Sequence, residues 1–429
     1  MEYGASLCLR VAYCVGDIYP TERKIHEVVR MASNSTLQMK VFALGDTKVG
    51  PLDERLFAVC SGDIGLLLDS LKSYDPDVIH LNRPGVPREM VSSLVSARRD
   101  MSVETLQFAV WDNESASIRR HVVVSEFLLR TLIRRARLAR GALGNFSVIG
   151  NPVDLERLSK VDSKHVDAIR AEFGADDGLL LGMASNPYGT RYNKRFLSCL
   201  GALKRKVPRF KFLALGGLPP DFKQALDRRG LSRNVFDVGS FPNDDARLYQ
   251  HIAALDIYAS YTVVGETFGI AIAEAMALAR PVVTNSTPWE CNAQADLVDN
   301  RINGLVAQSD EGWAAAIVHL LENPGLRLAL GARGQEKVLV NCQPKDTVSR
   351  LQALYESLSE KPNPPGSFDM SEVEERFREK KRDLYDHGRE YLVGRWAAYV
   401  QSRKTIAGSW RGALEAVAAK LVSPLNPRD

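Results

Sequence analysis

The chain has no Cys-x-x-Cys pair. Its six cysteines, Cys8, Cys14, Cys60, Cys199, Cys291 and Cys342, are scattered. That excludes a zinc ribbon or a dithiol motif and fits buried thiols in a reducing compartment. No apolar run approaches the roughly 20 residues that a membrane-spanning helix needs. The start is short and strand-like, without a secretory signal. A cytoplasmic protein is expected, with room for peripheral contact at the inner membrane surface. His26, His80, His121 and His251 stand at unrelated positions with no metal-ligand spacing. Each is expected to be structural, and neither a metal nor a cofactor is expected. A dominant charge is missing too: 56 Lys and Arg face 52 Asp and Glu, for a net +4. Such a balance does not imply nucleic acid. There is no internal repeat and no low-complexity tract. What is present is ordinary globular material, 429 residues of which 45% are hydrophobic and 25% charged. That is enough for two large domains and an appendage.

Short apolar strands alternate with helical stretches. Leu7–Val15, Met39–Leu44, Asp77–Leu81, Thr105–Val110, Val122–Ser125 and Ser147–Ile149 read as strands, with helices at Glu22–Met31 and Glu126–Ala142. The pattern restarts with strands at Leu179–Ala184, Lys211–Leu215, Val235–Val238, Asp256–Ser260 and Pro281–Thr284, and continues through Leu297–Asp299 and Gly304–Ala307. Such alternation implies parallel sheets with right-handed crossovers. Val153–Val161 reads as the hinge between two doubly wound domains. Lys361–Ser367 is a turn-rich break. Beyond it lies a helical tail that interleaves basic and aromatic residues, Trp396 and Trp410 among them. Arg130–Arg140 is a basic helical run, read first as a solvated face and second as a contact for anionic head groups.

Residues 265–274 carry the chemistry. They read Gly-Glu-Thr-Phe-Gly-Ile-Ala-Ile-Ala-Glu, a glycine-bounded loop running into an apolar helix. Glu266 lies in the loop, where a carboxylate meets a ligand hydroxyl. Glu274, separated from it by seven residues, is expected about two turns into the helix. Between them the amides of Thr267, Phe268, Gly269 and Ile270 are the open donors of a helix start, which favours phosphate. A sugar-hydroxyl acceptor, a phosphate cradle and a second hydroxyl acceptor are the parts of a nucleotide-sugar site.

With these residues in this order, the chain resembles retaining GT-B glycosyltransferases of the glycosyltransferase family 4 type, over roughly residues 5–345. The Glu-x7-Glu signature ending in Glu274-Ala-Met-Ala carries most of the resemblance. Val122–Leu128, Ile149–Arg157 and Pro288–Val306 support it. The resemblance implies an α/β fold of GT-B architecture, with two Rossmann-like domains facing a cleft and a C-terminal helical extension. The expected division is an acceptor domain at 1–152, a nucleotide-sugar donor domain at 153–345 and an extension at 346–429 that packs back on the first domain. By the same resemblance Glu266 holds the donor sugar, Glu274 the ribose, and the amides around Phe268–Ile270 the diphosphate. Two family features are absent. Gly182 is followed by Met183 where an Arg is usual, so the diphosphate charges are placed on Lys194 and Arg191. The loop Val110-Trp111-Asp112-Asn113 lacks the usual His.

The implied activity is transfer of a sugar from a nucleoside diphosphate sugar, of UDP or GDP type, to an acceptor hydroxyl, with retention and without a metal. Glu266, Lys194 and Arg191 are the catalytic candidates. Ser185, Asn186 and Gly16 join the donor candidates, with turn formation an equal reading for the first two. Trp111 and Asp112 are the acceptor candidates. A glycan, lipid-linked or other hydroxyl acceptor is the expected partner. The alternatives are the same chemistry on a small metabolite, a protein or a modified DNA base, and a non-catalytic nucleotide-sugar or partner-binding module.

Overall fold

A computed structural model describes residues 9–16, 37–43, 54–60, 63–83, 86, 91, 94–95, 99–107, 111, 115–136, 144–175, 179–187, 191–241, 245–287 and 291–359. Asp112, His26, Trp396, Trp410 and the Lys361–Ser367 break lie outside these residues.

Two sheets organise the chain. The first holds β1 (Leu9–Val15), β2 (Leu37–Ala43), β3 (Phe57–Val59), β4 (Val78–Asn82), β5 (Ser102–Leu106), β6 (Arg120–Val123) and β7 (Phe146–Val148). Its spatial order is β3-β2-β1-β4-β5-β6-β7. The second holds β8 (Leu180–Ala184), β9 (Lys211–Leu215), β10 (Val235–Gly239), β11 (Ile257–Ala259), β12 (Val282–Asn285) and β13 (Gly304–Ala307), in the order β10-β9-β8-β11-β12-β13. Every pairing between these strands is parallel. Both sheets therefore run outward from their first strand and then reverse. This creates a crevice at the carboxyl ends of β1 and β4 in one, and of β8 and β11 in the other. The strands β4, β5, β11 and β12 are buried along their whole length, as parallel strands covered on both faces must be. The α/β expectation of two doubly wound sheets is met.

Some elements differ from expectation for identifiable reasons. The strand expected at Thr105–Val110 is Ser102–Leu106. Its neighbours set the limit, because Thr105 pairs with Asn82 and Leu106 with Val123, and both partner strands end there. Leu297–Asp299 does not continue the sheet. Leu297 closes the short helix Gln294–Leu297, and the Asn303 side chain takes up the neighbouring backbone, donating to the Leu297 carbonyl and accepting from the Asp299 amide. The helix expected from Glu126 forms as α1 (Glu126–Ala136), and the described residues end there.

The chain returns to its first half at the end. After a long helix, Pro324–Asn341, the helix Pro344–Glu356 buries Val348, Leu351, Leu354 and Tyr355 in one apolar cluster with β1, β2 and β4 residues. Tyr355 Oη lies 2.6 Å from His80 Nδ1, and Thr105 Oγ1 lies 2.7 Å from His80 Nε2. His80 is fully buried, and that burial pushes its pKa down to about 3. The folded chain therefore refuses a proton that the unfolded chain binds at about pH 6.5. Stability is complete above that value and falls as the pH drops toward 3. Urea unfolding should show His80 alone removing about 2 kcal/mol between pH 7 and pH 5. In His80→Gln this part of the pH dependence should vanish; an unchanged slope would refute the assignment.

Candidate active site

The site grows from the second sheet's reversal point. Tyr258 on β11 spans it. Its hydroxyl accepts from the Ala184 amide at 3.1 Å and lies 3.3 Å from the Ala184 carbonyl, tying β11 to the end of β8. Beyond these strand ends, two loops converge. The loop after β8 carries Ser185, Asn186 and Arg191, and the loop after β11 carries Glu266.

Arg191 and Glu266 form an ion pair across the crevice through Nη2 and Oε1, with side chains 26% and 14% exposed. Burial alone would lower the Arg191 pKa, but the charge and hydrogen bond of Glu266 outweigh it and raise the pKa. Burial also pushes the Tyr258 hydroxyl up; the Ala184 amide and Arg191 oppose this, while Glu266 and Glu274 reinforce it. Tyr258 thus sits within the electrostatic reach of Arg191, Glu266 and Glu274.

Helix α2 (Lys194–Lys206) starts just past Arg191. Asn193 caps it, accepting from the amides of Arg195 (2.9 Å) and Phe196 (3.1 Å) and donating to the Arg191 carbonyl (2.9 Å). One side chain therefore fixes both the helix start and the Arg191 backbone. Lys194 occupies the first helical position, is exposed, and has no ion pair among the described residues. Ser185 turns inward through its backbone, its amide donating to the Leu215 carbonyl at 2.8 Å. Its hydroxyl donates to the Asn186 carbonyl at 3.3 Å, a turn contact.

Helix α3 (Asp245–Ala254) lies beside α4 (Ile270–Ala277), the helix of the signature. The signature helix begins later than expected. Gly269 is its N-cap with φ 93°, so Thr267 and Phe268 belong to the preceding loop, and Glu274 is the fifth helical residue, just past one turn. The amides of Thr267, Phe268, Gly269, Ile270 and Ala271 have no hydrogen-bond partner among the described residues. Five open donors at a helix start are a ready anion cradle. Glu274 is buried, with Tyr249 Oη of α3 at 3.4 Å from Oε1.

The first sheet closes over this loop. Ser125, just past β6, donates from Oγ to the Thr267 carbonyl at 2.6 Å. Phe268 packs against Gly150, just past β7. The signature loop is therefore held between the carboxyl edges of both sheets. Gly16 is buried at the end of β1, on the first sheet's own reversal edge. Beside it on that edge, Asn82 Oδ1 is buried with no partner among the described residues. Trp111 is half-buried, its ring centroid 4.8 Å from His121 and 5.6 Å from Phe146, so the indole is a packing element on β6 and β7. His121 in turn lies 2.8 Å from the fully buried Glu104.

Sequence reasoning brought together Arg191, Glu266 and the 267–270 amides, and placed Glu274 on the adjoining helix. It missed Tyr258, Asn193, Ser125 and a buried polar cluster at Asn285, Thr287, Asn292 and Gln294. The visible signal for that cluster is the run Thr284-Asn-Ser-Thr287, four consecutive polar residues that start within β12 and continue past its end. Among the described residues no group of three or more His, Cys, Asp or Glu is placed to hold a metal ion, and no helix is long and apolar enough to cross a membrane.

Residues 187–323 match the family model for glycosyl transferases group 1. The chain is 28% identical over 278 residues to the phosphatidyl-myo-inositol mannosyltransferase of Mycolicibacterium smegmatis, covering 62% of this chain and 67% of that protein. Among solved structures, a glycosyltransferase from Rickettsia africae superposes with a TM-score of 0.68 at 17% identity, over 82% of this chain and 99% of that one. Anabaena HepE in complex with UDP and glucose gives a TM-score of 0.64 at 15% identity, over 81% and 100%. The chain thus has the GT-B glycosyltransferase fold, and its residues 187–323 carry a glycosyl transferases group 1 domain.

Proposed function

We propose that the protein moves a sugar from a nucleoside diphosphate sugar to an acceptor hydroxyl with retention of configuration, in glycolipid or glycan synthesis. The observation that carries this reading is the open amide run Thr267–Ala271 directly beside the Arg191–Glu266 pair, at the carboxyl ends of β8 and β11. Anions bind such a helix start, and ligands bind such a reversal point.

In this reading the diphosphate lies on the 267–271 amides. Arg191 leaves or shares Glu266 to meet it, and exposed Lys194 adds a second charge. As the bond from the sugar's anomeric carbon to the diphosphate breaks, negative charge grows on the leaving oxygen, and these fixed donors stabilise it. The acceptor oxygen bonds to the same face of the sugar and gives its proton to the departing phosphate. Glu266 accepts hydrogen bonds from sugar hydroxyls and Glu274 from the ribose. No step asks for a metal. The relative in Mycolicibacterium smegmatis is a phosphatidyl-myo-inositol mannosyltransferase, which favours a lipid-linked acceptor for this chain, and the HepE structure holds UDP and glucose, which favours a nucleoside diphosphate sugar of UDP or GDP type as donor. Such an acceptor would place the protein peripherally at the inner membrane surface.

A thermal-shift screen of UDP-, GDP-, ADP- and dTDP-sugars tests the reading. A donor at about 100 times its Kd stabilises the folded state by about 2.7 kcal/mol, a rise of several degrees in Tm. The sugar nucleotide that shifts Tm should also be consumed, releasing its nucleoside diphosphate. No shift with any of the four would overturn the proposal.

A further inference from the structure

Glu266 is fixed less by its own side chain than by a neighbour far along the chain. Gln294 is fully buried. Its Oε1 accepts from the Glu266 amide at 2.9 Å, and its Nε2 donates to the Asn285 carbonyl at 3.0 Å and to Thr287 Oγ1 at 2.9 Å. The Ala293 amide donates to the Glu266 carbonyl at 3.1 Å. Both main-chain polar groups of Glu266 are thus held by consecutive residues of one segment. The other end of the same loop is clamped in the same manner. Asn285 Oδ1 accepts from the Thr262 amide at 2.7 Å, and its Nδ2 donates to the Thr262 carbonyl at 2.8 Å. Thr287 completes the cluster, donating from Oγ1 to the Cys291 carbonyl at 2.9 Å while its amide donates to Asn292 Oδ1 at 2.8 Å. The side chains of Asn285, Thr287, Asn292 and Gln294 are each at most 1% exposed. A satisfied network in such surroundings is stiff, because each broken bond leaves a polar group buried and unpaired.

We propose that Gln294 is a positioning residue for sugar transfer: it sets where the Glu266 carboxylate stands, and so how the donor sugar is presented. This rests on the reading of Glu266 as a ligand of the donor sugar. A carboxamide is required at 294 by the local donors and acceptors. One atom must accept from an amide and the other must donate to a carbonyl, which only one orientation of Gln provides. Gln294→Met keeps the shape and loses both functions. Gln294→Glu keeps the acceptor; buried against the Asn285 carbonyl, its carboxyl should hold its proton, and only that neutral form can donate as Gln does.

The test uses the full chain with the donor found by the thermal-shift screen, and UDP and GDP as probes of nucleotide binding. Gln294→Met should lower kcat by about tenfold to a hundredfold, the loss that a misplaced catalytic group produces. Its affinity for UDP or GDP should stay within about twofold, since those probes lack the sugar. Gln294→Glu should regain kcat as the pH falls, through an ionisation that wild type and Gln294→Met lack. It is also the variant that decides the matter if Gln294→Met fails to fold. An unchanged kcat, a parallel loss of kcat and nucleotide affinity, or a Gln294→Glu profile identical to wild type would overturn the proposal. A wild type that turns over no donor would overturn the catalytic reading itself, and this inference with it.

Discussion

Glu266→Gln should lose about tenfold to a hundredfold in kcat/KM for sugar transfer while the fold survives. The substitution keeps the shape of the side chain and removes its charge. A hydrogen bond to an ionised group contributes about 1.5–3 kcal/mol, which is one to two powers of ten in rate. Two effects act at once. The sugar hydroxyls lose a charged acceptor, and Arg191 loses the partner that now holds it across the crevice. Because Arg191 is 26% exposed, the orphaned guanidinium can reach water, and the structural penalty stays well below the several kcal/mol typical of fully buried pairs. Pairing Glu266→Gln with Arg191→Met separates the two effects. If the ion pair orders the site, the double variant should lose less than the product of the two single losses. Initial rates over a donor concentration series measure all of this. Full activity in Glu266→Gln would remove the central support for the proposed chemistry.

What could be seen in the sequence, and what could not, follows from range. The strand Leu180–Ala184 and the loop-to-helix passage through Glu266 and Glu274 are written locally, in apolar runs bounded by glycine and polar residues. Arg191 and Lys194 were found because they follow that strand within one loop. Even there the sequence placed the helix start too early, since the left-handed Gly269 delays it past Phe268. Gln294 lies 28 residues from Glu266, and nothing in its own neighbourhood marks it. Tyr258 looks like any aromatic residue of a buried strand until its hydroxyl is seen against Ala184. Ser125 reaches Thr267 across 142 residues, a contact that only the approach of the two sheets creates. Local chemistry marked the candidate ligand groups; tertiary packing supplied the groups that hold them.

The same packing makes Gly265→Ala the most damaging single methyl that the site region can receive. Gly265 has φ 76°, where an L side chain already costs about 1 kcal/mol. Its added Cβ would lie 1.4 Å from the Cys291 carbonyl oxygen and 2.6 Å from Thr287 Oγ1. Both atoms belong to the buried cluster that holds Glu266, so relief cannot come from one flexible side chain. The backbone of the 262–266 loop or at Cys291 must move, and the network opens with it. A loss on the order of 4 kcal/mol is expected, a large part of what an ordinary domain has in hand. Gly201→Ala is the matched control. Gly201 lies within α2 with nothing inside 4 Å of an added Cβ. There alanine is the better helix former, and a gain of about 0.5–1 kcal/mol is expected. Urea unfolding of the two variants measures the difference, and the donor-induced Tm shift reports whether the loop still presents Glu266. If Gly265→Ala keeps wild-type stability together with that shift, the loop is not clamped as the geometry requires, and the case for a rigid, preformed sugar site falls.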